Sequence, residues 1–105
     1  MSKEVLVFLG LLFILSYLLE INFIYEHELV HKQIFEYYGI NSTIEIDYFK
    51  LKGETVPDFN NVDISSEDID RVYFLHALNE IVGYHMHALM LAIISFLIVI
   101  CIILA

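Results

Sequence analysis

The stretch that decides the fold is Val5-Leu6-Val7-Phe8-Leu9-Gly10-Leu11-Leu12-Phe13-Ile14-Leu15-Ser16-Tyr17-Leu18-Leu19, an uncharged and almost wholly apolar run near the start of the chain. Apolar character continues past Glu20 to Tyr25, and a helix needs ~20 such residues to cross a hydrocarbon core of ~30 Å. Its counterpart is Ala88–Ala105, also uncharged, which Tyr84 and Met86 extend. Either run alone fits a buried core helix. Two of them in a chain of 105 residues leave too little protein to cover both. Two membrane spans follow, about 5–25 and about 86–105. Lys3 before an apolar run also resembles a signal peptide, but Glu20-Ile21-Asn22-Phe23-Ile24-Tyr25 contains no small-x-small cleavage site.

The formal net charge is −9, and its source lies between the two runs, where residues 26–87 hold nearly all the acids against Lys32, Lys50, Lys52 and Arg71. That balance argues against a nucleic-acid partner and against docking of the middle segment on anionic headgroups. Lys and Arg are too few to set orientation by the positive-inside rule. Asn41-Ser42-Thr43 is a glycosylation-type sequon. With it the expected topology is two-pass, termini on the same side and the middle segment extracytoplasmic. Cys101, the only cysteine, lies within the second run, so there is no disulfide framework.

The helical pattern begins near Ser2–Glu4 and meets no breaker until Gly39, a C-terminal stop. A helix over 3–38 is ~50 Å long, so its last third projects beyond the membrane. Over 39–64 the character changes. Thr43-Ile44-Glu45-Ile46-Asp47-Tyr48 alternates with the period of a strand, and Lys52-Gly53-Glu54 and Pro57-Asp58 are turn signals. A short hairpin, or a lone strand with a loop, is expected there. Ser65-Ser66-Glu67-Asp68 reads as a capped helix start, followed by a second long helix over 65–105. The expected fold is mainly α and integral to the membrane. It is a single domain, 1–105, built as an antiparallel two-helix transmembrane hairpin with long helices extending beyond the bilayer and a small β-element between them. Membrane lipid is the implied surrounding, and so thin a bundle invites self-association or a larger membrane complex.

Within the first helix, His27-Glu28-Leu29-Val30-His31 matches H-E-x-x-H. Histidines at i and i+4 share a helix face and reach one metal ion, and the intervening glutamate is placed to take a proton from metal-bound water. A catalytic zinc site has three protein ligands and one open position. On a helical wheel His76, Glu80, Tyr84 and His87 share a face, while His85 points about 140° from Glu80. Glu80 is therefore the candidate third ligand. The plainer alternative is an interfacial belt of Tyr and His.

The pentapeptide His27–His31, with Glu80 following in a Leu78-Asn79-Glu80 context, resembles the gluzincin metallopeptidases, some of which carry the motif on the extension of a transmembrane helix. The resemblance implies His27, His31 and Glu80 as zinc ligands, Glu28 as general base, and Tyr84 or His87 as the group that steadies the developing oxyanion. His85 remains a rival ligand, as does His87, should helix register shift near Gly83. The span contains no aspartate of the kind that site-2-type intramembrane proteases use. A di-iron reading starts from Glu28-x-x-His31 but needs a second such pair, which only another copy of the chain supplies. The expectation is a membrane-anchored zinc protein with peptide hydrolysis near the membrane surface. The competing class is a non-catalytic small subunit of a larger membrane assembly.

Overall fold

The computed structural model describes residues 1–105 and is mainly helical, with the element order α1 (Lys3–Tyr37), β1 (Asn41–Asp47), β2 (Lys52–Asp58) and α2 (Ser66–Leu104). Each end of α1 has a local cause. The Ser2 side chain accepts from the Val5 amide and caps the start. At the other end Gly39 takes φ 76°, Ile40 N donates to Phe35 O, and Gly39 N donates to Glu36 O. This is a Schellman stop, which only a residue without Cβ adopts freely. Its hydrophobic contact is also present: Ile40, 1% exposed, packs with Phe35 and Val72 in the small core at this end of the molecule. Ser65 caps α2 by accepting from the Asp68 amide, and Glu67 and Asp68 complement the helix dipole.

The chain turns back after Gly39, and the strands form an antiparallel hairpin running from Asn41 opposite Asp58 to Asp47 opposite Lys52. The turn lies one step earlier than the Lys52-Gly53-Glu54 signal placed it. Residues 48–51 make it, with Leu51 at φ 53° and the Asp47 carboxylate accepting from the Phe49 and Lys50 amides. Gly53 is a strand residue for a packing reason. A Cβ there would stand 2.6 Å from Ile24 Cγ2 and 2.7 Å from Glu28 Cγ, so the glycine lets β2 lie directly on α1. Pro57, opposite Ser42, is tolerated because the two-stranded sheet has nothing but edges.

The two long helices run antiparallel, as the pairs Glu20–His87, His27–Glu80 and His31–His76 show. Both are long and apolar enough to cross a membrane, and their apolar windows are almost entirely exposed. The contact stripe on α2 runs through Val72, His76, Asn79, Gly83, His87, Met90 and Ile94. Steps of three and four residues, averaging about 3.7, keep this stripe on one face of a nearly straight helix of ~3.6 residues per turn. Helix α1 is the common floor: the hairpin strands lie on one side of it and α2 on another, while no strand backbone approaches α2. The gap between β2 and α2 is a cleft.

Candidate metal centre

That cleft is lined by Glu28, His31, Gly53, Thr55, His76 and Glu80, among others. The helical repeat brings His27 and His31 to the α1–α2 seam, one turn apart. Their rings meet edge to face with centroids 4.9 Å apart. From α2, one carboxylate oxygen answers both: Glu80 Oε1 is 3.2 Å from His27 Nε2 and 2.6 Å from His31 Nε2. The three ligand atoms lie within 4.8 Å of one another, close enough to hold a metal ion. Burial alone raises the Glu80 carboxyl, but hydrogen bonds from His31 and His27 outweigh it and hold the group below its ordinary value of 4.5. Glu80 is therefore a carboxylate at neutral pH, the form a ligand must have.

The seam is tight at this level because of Gly83. A Cβ on residue 83 would stand 2.5 Å from Cε1 and 2.6 Å from Nδ1 of His27. Helix α2 passes through Gly83 without a break, and the missing side chain is the space that the His27 ring occupies. Asn79 fixes the other side of the same residue by donating from Nδ2 to the His27 carbonyl at 3.2 Å. Phe23 stacks on His27 from below, and His87 stacks on Phe23, with interplanar angles of 14° and 17°.

His76 is the residue that sequence reasoning placed on the right face without giving it a task. Its Nδ1 is 2.6 Å from Nδ1 of His31, and the Phe35 ring packs on it with centroids 4.4 Å apart. Burial, then repulsion from His31, push the His76 imidazole below its ordinary 6.5 against the opposing pull of Glu80, so it is neutral at pH 7. With His31 Nε2 donating to Glu80, a neutral His31 accepts at Nδ1 from His76. If His31 Nε2 instead offers its lone pair to a cation, its proton must sit at Nδ1, and His76 Nδ1 becomes the acceptor. His76 Nε2 is buried with no partner.

Glu28 points to the opposite wall. The residue is only 7% exposed, and Thr55 Oγ1 on β2 lies 2.7 Å from Glu28 Oε2 and 2.9 Å from the Glu28 carbonyl oxygen. The hydroxyl has one proton to give, and donating it to Oε2 holds that oxygen on the β2 side. No sequence signal pointed to Thr55, which acts from β2 between the two segments read as turn signals.

The other expected residues lie elsewhere. Tyr84 is 72% exposed and stands outside the cleft. At ~100° per residue Gly83 lies about 20° from the buried Val72 while Tyr84 lies about 120° away, so position 83 faces the partner and 84 turns out. His85 is exposed and bonds through Nδ1 to the Ile81 carbonyl of its own helix. His87 is engaged by Glu20, whose two carboxylate oxygens both lie 3.0 Å from His87 Nε2. No family model, curated protein or solved structure matches the chain, so the centre is read from its own geometry.

Proposed function

We propose that the protein is a two-pass membrane zinc protein of gluzincin-like type that hydrolyses peptides near the membrane surface. The observation that carries this reading is the convergence of His27 Nε2, His31 Nε2 and Glu80 Oε1 on one point beside the buried carboxylate of Glu28. Two imidazoles and one carboxylate, with a cleft leading to them, are the donor set of an open zinc site. Iron fits less well, since the second Glu-x-x-His it would need is absent from this chain.

A zinc ion held there would polarise a peptide carbonyl and lower the pKa of a bound water. The remaining work belongs to the chain. Hydrolysis adds one water across the C–N bond, its oxygen ending on the new carboxyl and a proton on the departing amine. The Glu28 carboxylate takes that proton and hands it on. Thr55 holds Oε2 in place, which leaves the other oxygen free to face the water. Membrane anchoring is supported by the length, exposure and apolar character of both helices, which no surface in the chain itself covers.

The test is metal content of detergent-purified protein by mass spectrometry, in wild type, His27→Ala and Glu80→Ala, with peptide hydrolysis assayed beside Glu28→Gln. Near-stoichiometric zinc, lost in both ligand variants, with hydrolysis absent from a Glu28→Gln protein that keeps its zinc, is the expected result. Wild type without metal after chelator-free purification overturns the proposal. Zinc with no hydrolysis of any peptide offered reduces it to a structural metal site.

A further inference from the structure

The β-hairpin does not sit above the apolar halves of the helices; it reaches down beside one of them. Gly53 lies against Ile24, and at the tip the Tyr17 hydroxyl donates to the Tyr48 carbonyl at 2.8 Å. Tyr17 belongs to the uncharged run Val5–Leu19. From Lys3 to Tyr17 helix α1 rises only ~21 Å, against ~30 Å for a hydrocarbon core. If α1 crosses the bilayer from its N-terminal end, the hairpin tip lies several ångströms below the near boundary of that core. The level of the tip is thus set by the helix it is bonded to.

The tip is built for such surroundings. Phe49 is 99% exposed and Tyr48 58%, so two aromatic rings project where the protein itself offers them no cover. Backbone polar groups in lipid must be satisfied internally. Three groups of the turn are met in this way: the Asp47 carboxylate accepts from the Phe49 and Lys50 amides, and Tyr17 donates to the Tyr48 carbonyl. Lys50 and Lys52 flank the rings, with long apolar stems that let their ammonium groups return to water. Aromatic rings beside lysines are the composition of a membrane interface.

From these contacts we infer that the hairpin tip, Tyr48–Leu51, is immersed in the bilayer, with phospholipid as the partner that covers Phe49 and Tyr48. The inference rests on the two-span reading of the helices but not on the metal centre. It gives that centre a setting, however. Strand β2 climbs from Leu51 to Thr55, beside Glu28, in four residues, which is ~13 Å. The cleft therefore opens within reach of lipid, and a substrate held in or at the bilayer meets it first.

The chain has no tryptophan, so single aromatic replacements report position without interference. Phe49→Trp, Phe13→Trp in the first apolar run, and Phe59→Trp beyond the far end of the hairpin are each reconstituted as full chains into phosphatidylcholine vesicles. Quenching is measured with lipid brominated on its acyl chains and with aqueous acrylamide. Phe49→Trp is expected to emit at short wavelength, to be quenched by brominated lipid as Phe13→Trp is, and to resist acrylamide, while Phe59→Trp does the reverse. Phe49→Trp behaving like Phe59→Trp, with Phe13→Trp in lipid, places the hairpin in water and overturns the inference. A Phe13→Trp reporter in water overturns the two-span reading instead. Adding Tyr17→Phe to Phe49→Trp should shift emission to the red and weaken lipid quenching; no change would overturn the role given to Tyr17.

Discussion

The ring of His27 occupies the space that a side chain on residue 83 would fill, with His27 Cε1 2.5 Å from where the Cβ would stand. The first histidine of the candidate metal centre is therefore placed by an absence on α2. Gly83→Ala sets two effects against each other. Alanine favours the helix by about 1 kcal/mol over glycine, but the His27 ring must move to admit it. The expected outcome is undiminished helix content by circular dichroism with zinc affinity at least about tenfold weaker in a competition titration, the size of effect seen when ligand support is lost.

His76 lies 2.6 Å from His31 through the two Nδ1 atoms, so with a metal on His31 Nε2 it would accept the His31 proton at Nδ1. His76→Ala should weaken zinc binding by about 10–100-fold, with His76→Asn recovering part of it through its amide oxygen. Cobalt substitution gives a second reading, since the visible spectrum follows ligand geometry. Equal affinity and an unchanged spectrum in His76→Ala would remove His76 from the centre.

Thr55→Val is nearly isosteric and deletes only the hydroxyl that holds Glu28 Oε2. Zinc content should be unchanged, while hydrolysis falls about tenfold, the lower part of the range for a misplaced general base. The loss should fall in kcat, because Thr55 contacts Glu28, the proposed base, and not the proposed ligands. A loss confined to KM would assign Thr55 to substrate contact instead.

Glu20 and His87 pair across the seam below the metal centre, with side chains 12% and 41% exposed. Glu20→Leu alone, or His87→Leu alone, should destabilise by about 1–3 kcal/mol, less than a fully buried pair because His87 is partly open. Glu20→Leu with His87→Leu should recover most of that, since apolar residues replace both members of the pair. Unfolding in detergent by a steric-trap or denaturant series measures all three.

Acid should act on the centre through two groups with the same sign. Glu80 is held below its ordinary 4.5, and its contribution is present above that value and is lost as pH falls through the folded one. His76 is pushed below its ordinary 6.5, so its neutral form likewise supports the fold above that value and opposes it once protonated. Zinc-free protein should therefore hold its α1–α2 contact at pH 7 and loosen below pH 4.5, a change that a Phe23→Trp reporter at the seam would read by fluorescence.

Much of this was legible in the order of residues. The two apolar runs, the stop at Gly39 and the caps at Ser2 and Ser65 are local signals whose physical causes act within a few residues, and the helices begin and end within a residue or so of where they point. H-E-x-x-H is local too, because one helical turn suffices to bring His27 and His31 to one face. Glu80 was reachable as the acid on the correct face of a second helix. Gly53 was misread, because a glycine that relieves a close approach and a glycine that makes a turn are the same letter.

By itself, then, the sequence determined what depends on neighbours along the chain: two long apolar helices, their ends, and a histidine pair flanking a glutamate. Only the tertiary structure decided which side chains those helices would share. The seating of α2 against α1 turns Gly83 inward and Tyr84 outward, takes His87 to Glu20, and brings His76 to His31. It also carries the hairpin down α1, so that Thr55 meets Glu28 and Tyr48 meets Tyr17. The reason is geometric. A helix turns ~100° per residue, so adjacent residues face different sides, and only the seating of one helix on the other decides which stripe faces the site.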